Sequence, residues 1–180
     1  GLRPTNSSYA YGDAIAIAKI AEMAGDNELS EKFTAKAAET KASVEKYLWD
    51  KDFYKTIPFE RDGVADFSER PHVAPENDAR ELVGYVPWYF NLPDNGKDAA
   101  FSELLDKNGF LAKYGITTTE QRHPRFMEEH NHECLWNGPV WPFATSQTLT
   151  ALIAYLQTKK QPTVTAEDFM DLLLTYAYSQ

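Results

Sequence analysis

The most constraining feature of this chain is the run from Trp141 to Leu156, sixteen positions without one charged side chain. Phe143, Leu149, Leu152, Ile153 and Leu156 recur along it at helical spacing, and Ala, Ser, Thr and Gln fill the remaining positions. A helix with no charged face has no natural place against water, so the pattern predicts burial on every side. The next segment reads differently. Thr165 is placed to N-cap a helix with Asp168 three residues on, and Phe169, Leu172, Leu173, Tyr176 and Ala177 share one stripe, as in an outer, one-sided helix. An enclosed helix followed by an amphipathic one points to concentric layers of helices.

The rest of the chain supplies more hairpins. Between Tyr9 and Ala24, Ile17, Ile20, Ala21 and Ala24 follow the i, i+3, i+4, i+7 template, and Gly25 stops the helix. Residues 27 to 49 repeat the pattern through Leu29, Phe33, Ala37, Val44 and Leu48, with Glu22, Lys32, Lys36, Glu39 and Lys46 forming wet faces. These two segments predict an αα-hairpin. Phe53 to Phe67, with Asp62-Gly63 between extended runs, predicts a small β-hairpin as an excursion. A third helix is expected from Ala79 to Tyr85 or slightly beyond, bounded by Pro87 and Pro93, and a fourth from about Lys97 to Lys107 with Phe101, Leu104 and Leu105 inward. Residues 108 to 138 lack clean periodicity, which in a stretch so long and aromatic suggests a functional loop. The expected class is therefore all-α, with six helices in three hairpins. The hairpins differ in length and show no 34-residue self-similarity, which disfavours a regular solenoid.

Composition narrows the partners. The 180 residues carry a net charge of −9, and no window of Lys and Arg offsets it, so nucleic acid and anionic membranes are disfavoured. No apolar run approaches the roughly 18–20 residues of a membrane helix. The opening Gly1-Leu2-Arg3-Pro4 has neither Met nor the layout of a signal peptide, which leads us to expect an upstream segment. A lone Cys134 leaves the redox compartment open. The composition does stand out in 4 Trp, 10 Tyr and 10 Phe, more aromatics than a small core needs. Trp and Tyr join a flat apolar face to a polar edge, which suits a sugar ring, so carbohydrate is the first ligand class to consider.

The segment most suited to such a role is Glu133-Cys134-Leu135-Trp136-Asn137-Gly138-Pro139-Val140-Trp141-Pro142-Phe143. Its Gly-Pro turn holds two indoles stiffly where a helix begins and unpaired N–H groups face outward. Both indoles could equally cap the core. This segment resembles the W-x-G-P-x-W element of the six-hairpin, (α/α)6 toroid glycoside hydrolases, in particular bacterial proteins similar to mannosylglycerate hydrolase and the processing glucosidases. Three further stretches resemble the same family in the same order. They are Arg3-Pro4-Thr5-Asn6-Ser7-Ser8-Tyr9-Ala10-Tyr11-Gly12-Asp13-Ala14, Arg80-Glu81-Leu82-Val83-Gly84-Tyr85-Val86-Pro87-Trp88-Tyr89, and Thr117-Thr118-Thr119-Glu120-Gln121-Arg122-His123-Pro124-Arg125-Phe126.

The resemblance implies inverting hydrolysis of a glycosidic bond by a carboxylic acid and a carboxylate about 6.5–9.5 Å apart. In the family the acid precedes the part matching Arg3-Pro4-Thr5 and the base follows the part matching Gln180. Twelve helices with their connections need roughly 170–280 residues, and six already occupy this chain. Residues 1–180 are thus expected to be a single unit, about half a toroid, of a larger catalytic domain without its acid–base pair. The resemblance leans toward a periplasmic or extracellular address in a bacterium. If an acid or base does lie within the chain, Glu133 is the candidate, though orienting an Arg or a sugar hydroxyl is its more economical role. Substrate-binding candidates are Trp136, Asn137, Trp141, Asp13, Tyr85 and Trp88. For Asp13 the alternative is a buried structural carboxylate, and for Tyr85 and Trp88 it is packing.

No cofactor is implied. His130-x-His132-x-Cys134 tempts a zinc assignment, but alternate spacing and the want of a second ligand pair argue against a metal, and nothing nearby lowers the Cys134 thiol pKa for nucleophilic work. Two other classes compete with a hydrolase fragment: a non-catalytic carbohydrate-binding module and a helical scaffold for protein partners. A half ring would leave apolar hairpin faces uncovered, and self-association is expected of it.

Overall fold

The computed structural model describes residues 3–57, 79–128 and 137–179. Helix α1 (Pro4–Ala24) starts five residues earlier than its periodicity predicts, because Pro4 sits in the first turn, where its missing N–H costs nothing. Gly25 ends it in the left-handed conformation (φ 79°), which glycine adopts without strain. Asp26 then caps α2 (Asn27–Tyr47), its carboxylate accepting from the Leu29 N–H at 3.0 Å. The two helices pack as the expected αα-hairpin.

Of the expected apolar positions of α1 only Ala21 is buried. Ala14, Ala18 and Ala21 are buried and α2 answers with Ala37 and Val44, whereas Ile17 is 36% exposed, Ile20 66% exposed and Ala24 open to solvent. Small side chains let the two backbones approach closely. The larger Ile17 and Ile20 flank this alanine stripe on one side and stand partly or largely in solvent. Leu29 likewise stands partly in solvent, while Leu48 is buried beyond the end of α2.

Strands β1 (Trp49–Asp50) and β2 (Phe53–Tyr54) pair antiparallel with Trp49 opposite Tyr54. Phe53 therefore belongs to a hairpin that turns back on Trp49 through Lys51-Asp52, and Trp49 is strand, not helix. The predicted Asp62-Gly63 turn, with Val64 and Phe67, lies outside the described residues. A 3-10 turn at Leu82–Tyr85 runs directly into α3 (Val86–Tyr89). Pro87 thus falls within the first turn of a helix instead of bounding one, for the same reason as Pro4. Asp98–Leu104 is a second 3-10 segment where an α-helix was expected. At three residues per turn, Phe101 and Leu104 eclipse each other inward, and Leu105 swings out to 36% exposure. The aperiodic stretch contains another hairpin, β3 (Leu111–Ala112) with β4 (Gly115–Ile116).

Helix α4 (Pro142–Thr158) is charge-free as read, but it is not enclosed. Ala144, Thr145, Thr148, Leu149, Ala151, Leu152 and Tyr155 are buried, while Phe143 (61%) and Ile153 (41%) share an outer stripe with Ser146 and Thr150. Helix α5 (Ala166–Tyr178) opens with the capping box expected of Thr165 and Asp168, and packs on α4. Two long αα-hairpins therefore flank a middle pair contracted to short helical turns. The fold is all-α, a partial (α/α)6 toroid with small β-hairpins. No described helix is long and apolar enough to cross a membrane.

An aromatic core joins these parts. Phe101 stacks on Tyr155 at 4.2 Å and on Tyr85 at 5.2 Å, with Trp88 edge-on at 5.0 Å. Around it lie Phe53, Leu82, Leu92, Phe110 and Leu152.

The capping box yields a pH prediction. Hydrogen bonds from the Thr165 hydroxyl and backbone hold the Asp168 carboxyl below its ordinary range. A depressed folded value means that stability is present above the unfolded pKa and lost as pH falls through the folded one. Asp168→Ala is expected to cost about 1 kcal/mol at pH 6, and the difference from wild type should narrow at pH 3, as read by urea titration at both.

Candidate functional site

A side-chain hydrogen bond ties α1 to α4 near the start of each helix. Gln147 donates from Nε2 to the Tyr9 hydroxyl at 3.0 Å. Tyr9 and Gln147 are each the sixth residue of their helices, so both N-terminal ends lie about 7–8 Å along the axis from the same bond. The Tyr9 ring stands edge-on to Phe90 at 4.9 Å and tilted to Tyr89 at 6.1 Å. Phe90 reaches this position only because Gly12 has no side chain, since a Cβ there would lie 2.3 Å from the ring. One helical turn beyond Tyr9, on the same face, Asp13 is exposed.

The second part is the corner leading into α4. Asn137 donates from Nδ2 to the carbonyls of Arg125 (3.1 Å) and Glu128 (2.7 Å), and its own carbonyl accepts from the Met127 N–H at 2.7 Å. Its Oδ1 is buried without a hydrogen-bond partner. Gly138 has φ 157°, and a Cβ on it would lie 2.7 Å from the Met127 sulfur, so a larger residue would push the turn open. Trp141 is the extended N-cap residue of α4, half-buried, with its ring against the edge of the core.

Behind the corner lies an ion network. Glu120, 4% exposed, accepts from the Arg80 backbone N–H at 2.9 Å and from Arg80 Nη1 at 2.7 Å, while Arg80 Nη2 reaches Asp52 at 2.6 Å. Burial alone would lower the Arg80 pKa, but the hydrogen bonds it donates to Asp52 and Glu120 raise it above its ordinary value. The guanidinium is charged at every working pH. An isolated bridge between Glu81 and Thr119 runs beside this pair.

The sequence candidates separate into three groups. Asn137 and Trp141 share the corner, and Asp13 lies on α1, which the Tyr9–Gln147 bond ties to α4. For Tyr85 (0% exposed) and Trp88 (5%), read as cleft walls or as packing, the structure gives packing: both lie in helical turns of the aromatic core, where Tyr85 donates to the Ala100 carbonyl at 2.7 Å. Burial pushes the Tyr85 phenol well above its ordinary pKa, so it stays protonated. Trp88 also borders a shallow cavity of about 190 Å³ with Asp98, Tyr155 and Lys159, toward the C-terminal end of α4 and away from the corner. Glu133 and Trp136, with His130, His132 and Cys134, lie outside the described residues. Among the described residues no cluster of His, Cys, Asp and Glu could hold a metal ion.

Sequence reading missed Tyr9, Gln147 and Thr118 as site-forming residues, and the Arg80–Glu120 pair. Their segments carried the family resemblance, but partners 40 or 138 positions apart leave no mark in local periodicity.

Over residues 1–180 the chain matches the mannosylglycerate hydrolase MGH1-like glycoside hydrolase domain. It belongs to that family of glycoside hydrolase domains. Among solved structures, a sialidase is similar at 35% identity and a TM-score of 0.86, over 99% of this chain and 16% of the sialidase chain. The present chain thus spans only a small part of that protein. A search of curated proteins gives no match.

Proposed function

We propose that residues 1–180 form one unit of the catalytic domain of an inverting glycoside hydrolase, with the acid and base carried by other parts of the same domain. The observation that supports this reading is the Gln147–Tyr9 hydrogen bond, which ties α4 to α1 within the first two turns of each helix, next to the corner that carries Trp141. Trp141 offers an apolar ring face and the exposed Asp13 a carboxylate to sugar hydroxyls, while Asn137, its amide bonded inward to the Arg125 and Glu128 carbonyls, holds the turn beside them. Trp136 and Glu133 adjoin this corner in sequence, Trp136 as a second wall and Glu133 as an orienting carboxylate. Tyr85 and Trp88 act behind the wall, stiffening it. The uncovered apolar faces of α1 and α4 are where the remainder of the ring is expected to pack, and in the isolated chain they favour self-association. In the complete domain one carboxylic acid protonates the leaving oxygen while a carboxylate activates water on the opposite face of the sugar.

The names of the family and of the similar structure supply two probes, mannosylglycerate and a sialyl glycoside. Isothermal titration of the 180-residue chain should show weak binding of one of them, on the order of millimolar. Trp141→Ala should weaken that binding roughly tenfold, and NMR should detect no released sugar. Binding of neither probe overturns the saccharide reading, and sugar release by this chain overturns the placement of acid and base elsewhere.

A further inference from the structure

Between the ion network and the indole corner stands Thr118, 2% exposed. Its hydroxyl donates to the Pro139 carbonyl and accepts from the Gly138 N–H, both at 3.1 Å. Its backbone N–H reaches the same Pro139 carbonyl at 3.3 Å, and its carbonyl accepts from the Leu82 N–H at 2.9 Å. Two residues on, Glu120 fastens the strand to Arg80. The Gly138-Pro139 turn is therefore held from one side by a single threonine, itself anchored to a segment locked by a buried ion pair.

We infer that Thr118 is the positioning residue of the saccharide-binding corner, fixing the Gly138-Pro139 turn and through it the orientation of Asn137 and Trp141. Proline cannot donate a hydrogen bond and Gly138 has no side chain, so the turn contributes little to its own orientation. A hydroxyl that both donates and accepts is the smallest group able to pair the N–H of residue 138 and the carbonyl of residue 139 together. Valine has the same shape and can do neither, whereas serine can do both. The role rests on the saccharide reading above for its functional meaning, but its geometric content can be tested without a ligand.

The test labels the full chain with 5-fluorotryptophan and assigns the Trp141 fluorine signal by its loss in Trp141→Phe. In Thr118→Val the Trp141 signal should shift or broaden while those of Trp49 and Trp88, packed around the core, stay in place. Affinity for whichever probe the wild type binds should fall roughly tenfold, the factor expected when one or two buried hydrogen bonds are lost. Thr118→Ser should restore both signal and affinity. An unmoved Trp141 signal, or unchanged affinity, in Thr118→Val overturns the inference. So does a Thr118→Ser variant that behaves like the valine one, which also covers the case in which valine prevents folding. Binding of neither probe by the wild type instead strikes the saccharide reading, and the fluorine signals then decide the geometry alone.

Discussion

Replacing Glu120 by alanine is expected to cost about 3–5 kcal/mol of unfolding free energy, the range for removing one partner of a buried ion pair. The carboxylate satisfies both the Arg80 guanidinium and the Arg80 backbone N–H, and little solvent can take its place. For a chain of this length that corresponds to roughly 6–20 °C in melting temperature. Without Glu120 the guanidinium keeps Asp52 but loses its buried partner, so an Arg80→Met/Glu120→Leu double variant should lose less than the sum of its single variants. Arg122 provides the contrast. Its pairs with Glu103 and Asp106, and a longer approach of 3.6 Å to Glu120 itself, involve a side chain 38% exposed, and Arg122→Ala should move stability by only about 1 kcal/mol. Denaturant titration of the five variants, the two single variants of the double included, decides between these expectations. A Glu120→Ala loss no larger than that of Arg122→Ala would show that the buried pair does not organise the fold.

Phe101→Ala should be comparably damaging, at about 3–5 kcal/mol. The ring is 0% exposed and lies between Tyr155 of α4 and Tyr85 at the start of α3, so its loss opens a cavity where three elements meet. The surrounding rings are large and held by neighbours of their own, including the Tyr85 hydrogen bond to Ala100, and they cannot collapse into the space. Leu105→Ala, four positions on and partly in solvent, should cost far less. If the two truncations cost the same, the 3-10 register of Asp98–Leu104 would be wrong.

The layers of the fold were legible where a local rule had one reading. Gly25 as a stop, the Thr165–Asp168 capping box and the charge-free character of α4 all depend on residues within a turn of one another. The inward face of α1 was misread because Ile17 and Ile20 dominate any hydrophobic count, while the observed helix contact is made by alanines. Periodicity also presumes 3.6 residues per turn, so Leu105 was assigned inward and the 3-10 segments went unseen. The candidate site was legible as a segment but not as a constellation. The Gly-Pro corner with Asn137 and Trp141 was identified from adjacent residues, whereas its ties to Thr118, Glu120 and, through Gln147, to Tyr9 cross the chain. For Tyr85 and Trp88 the sequence left a cleft wall and core packing both open, and burial decides for packing, because Pro87 begins a helix that, with the 3-10 turn before it, carries them inward.

The absence of charge along α4 has a consequence for kinetics. Tyr155 is its only ionisable side chain, and that ring is sealed in the core. On the saccharide reading proposed above, a pH–rate profile of the complete hydrolase would carry no contribution from an Asp, Glu, His, Lys or Arg on this helix, because it has none.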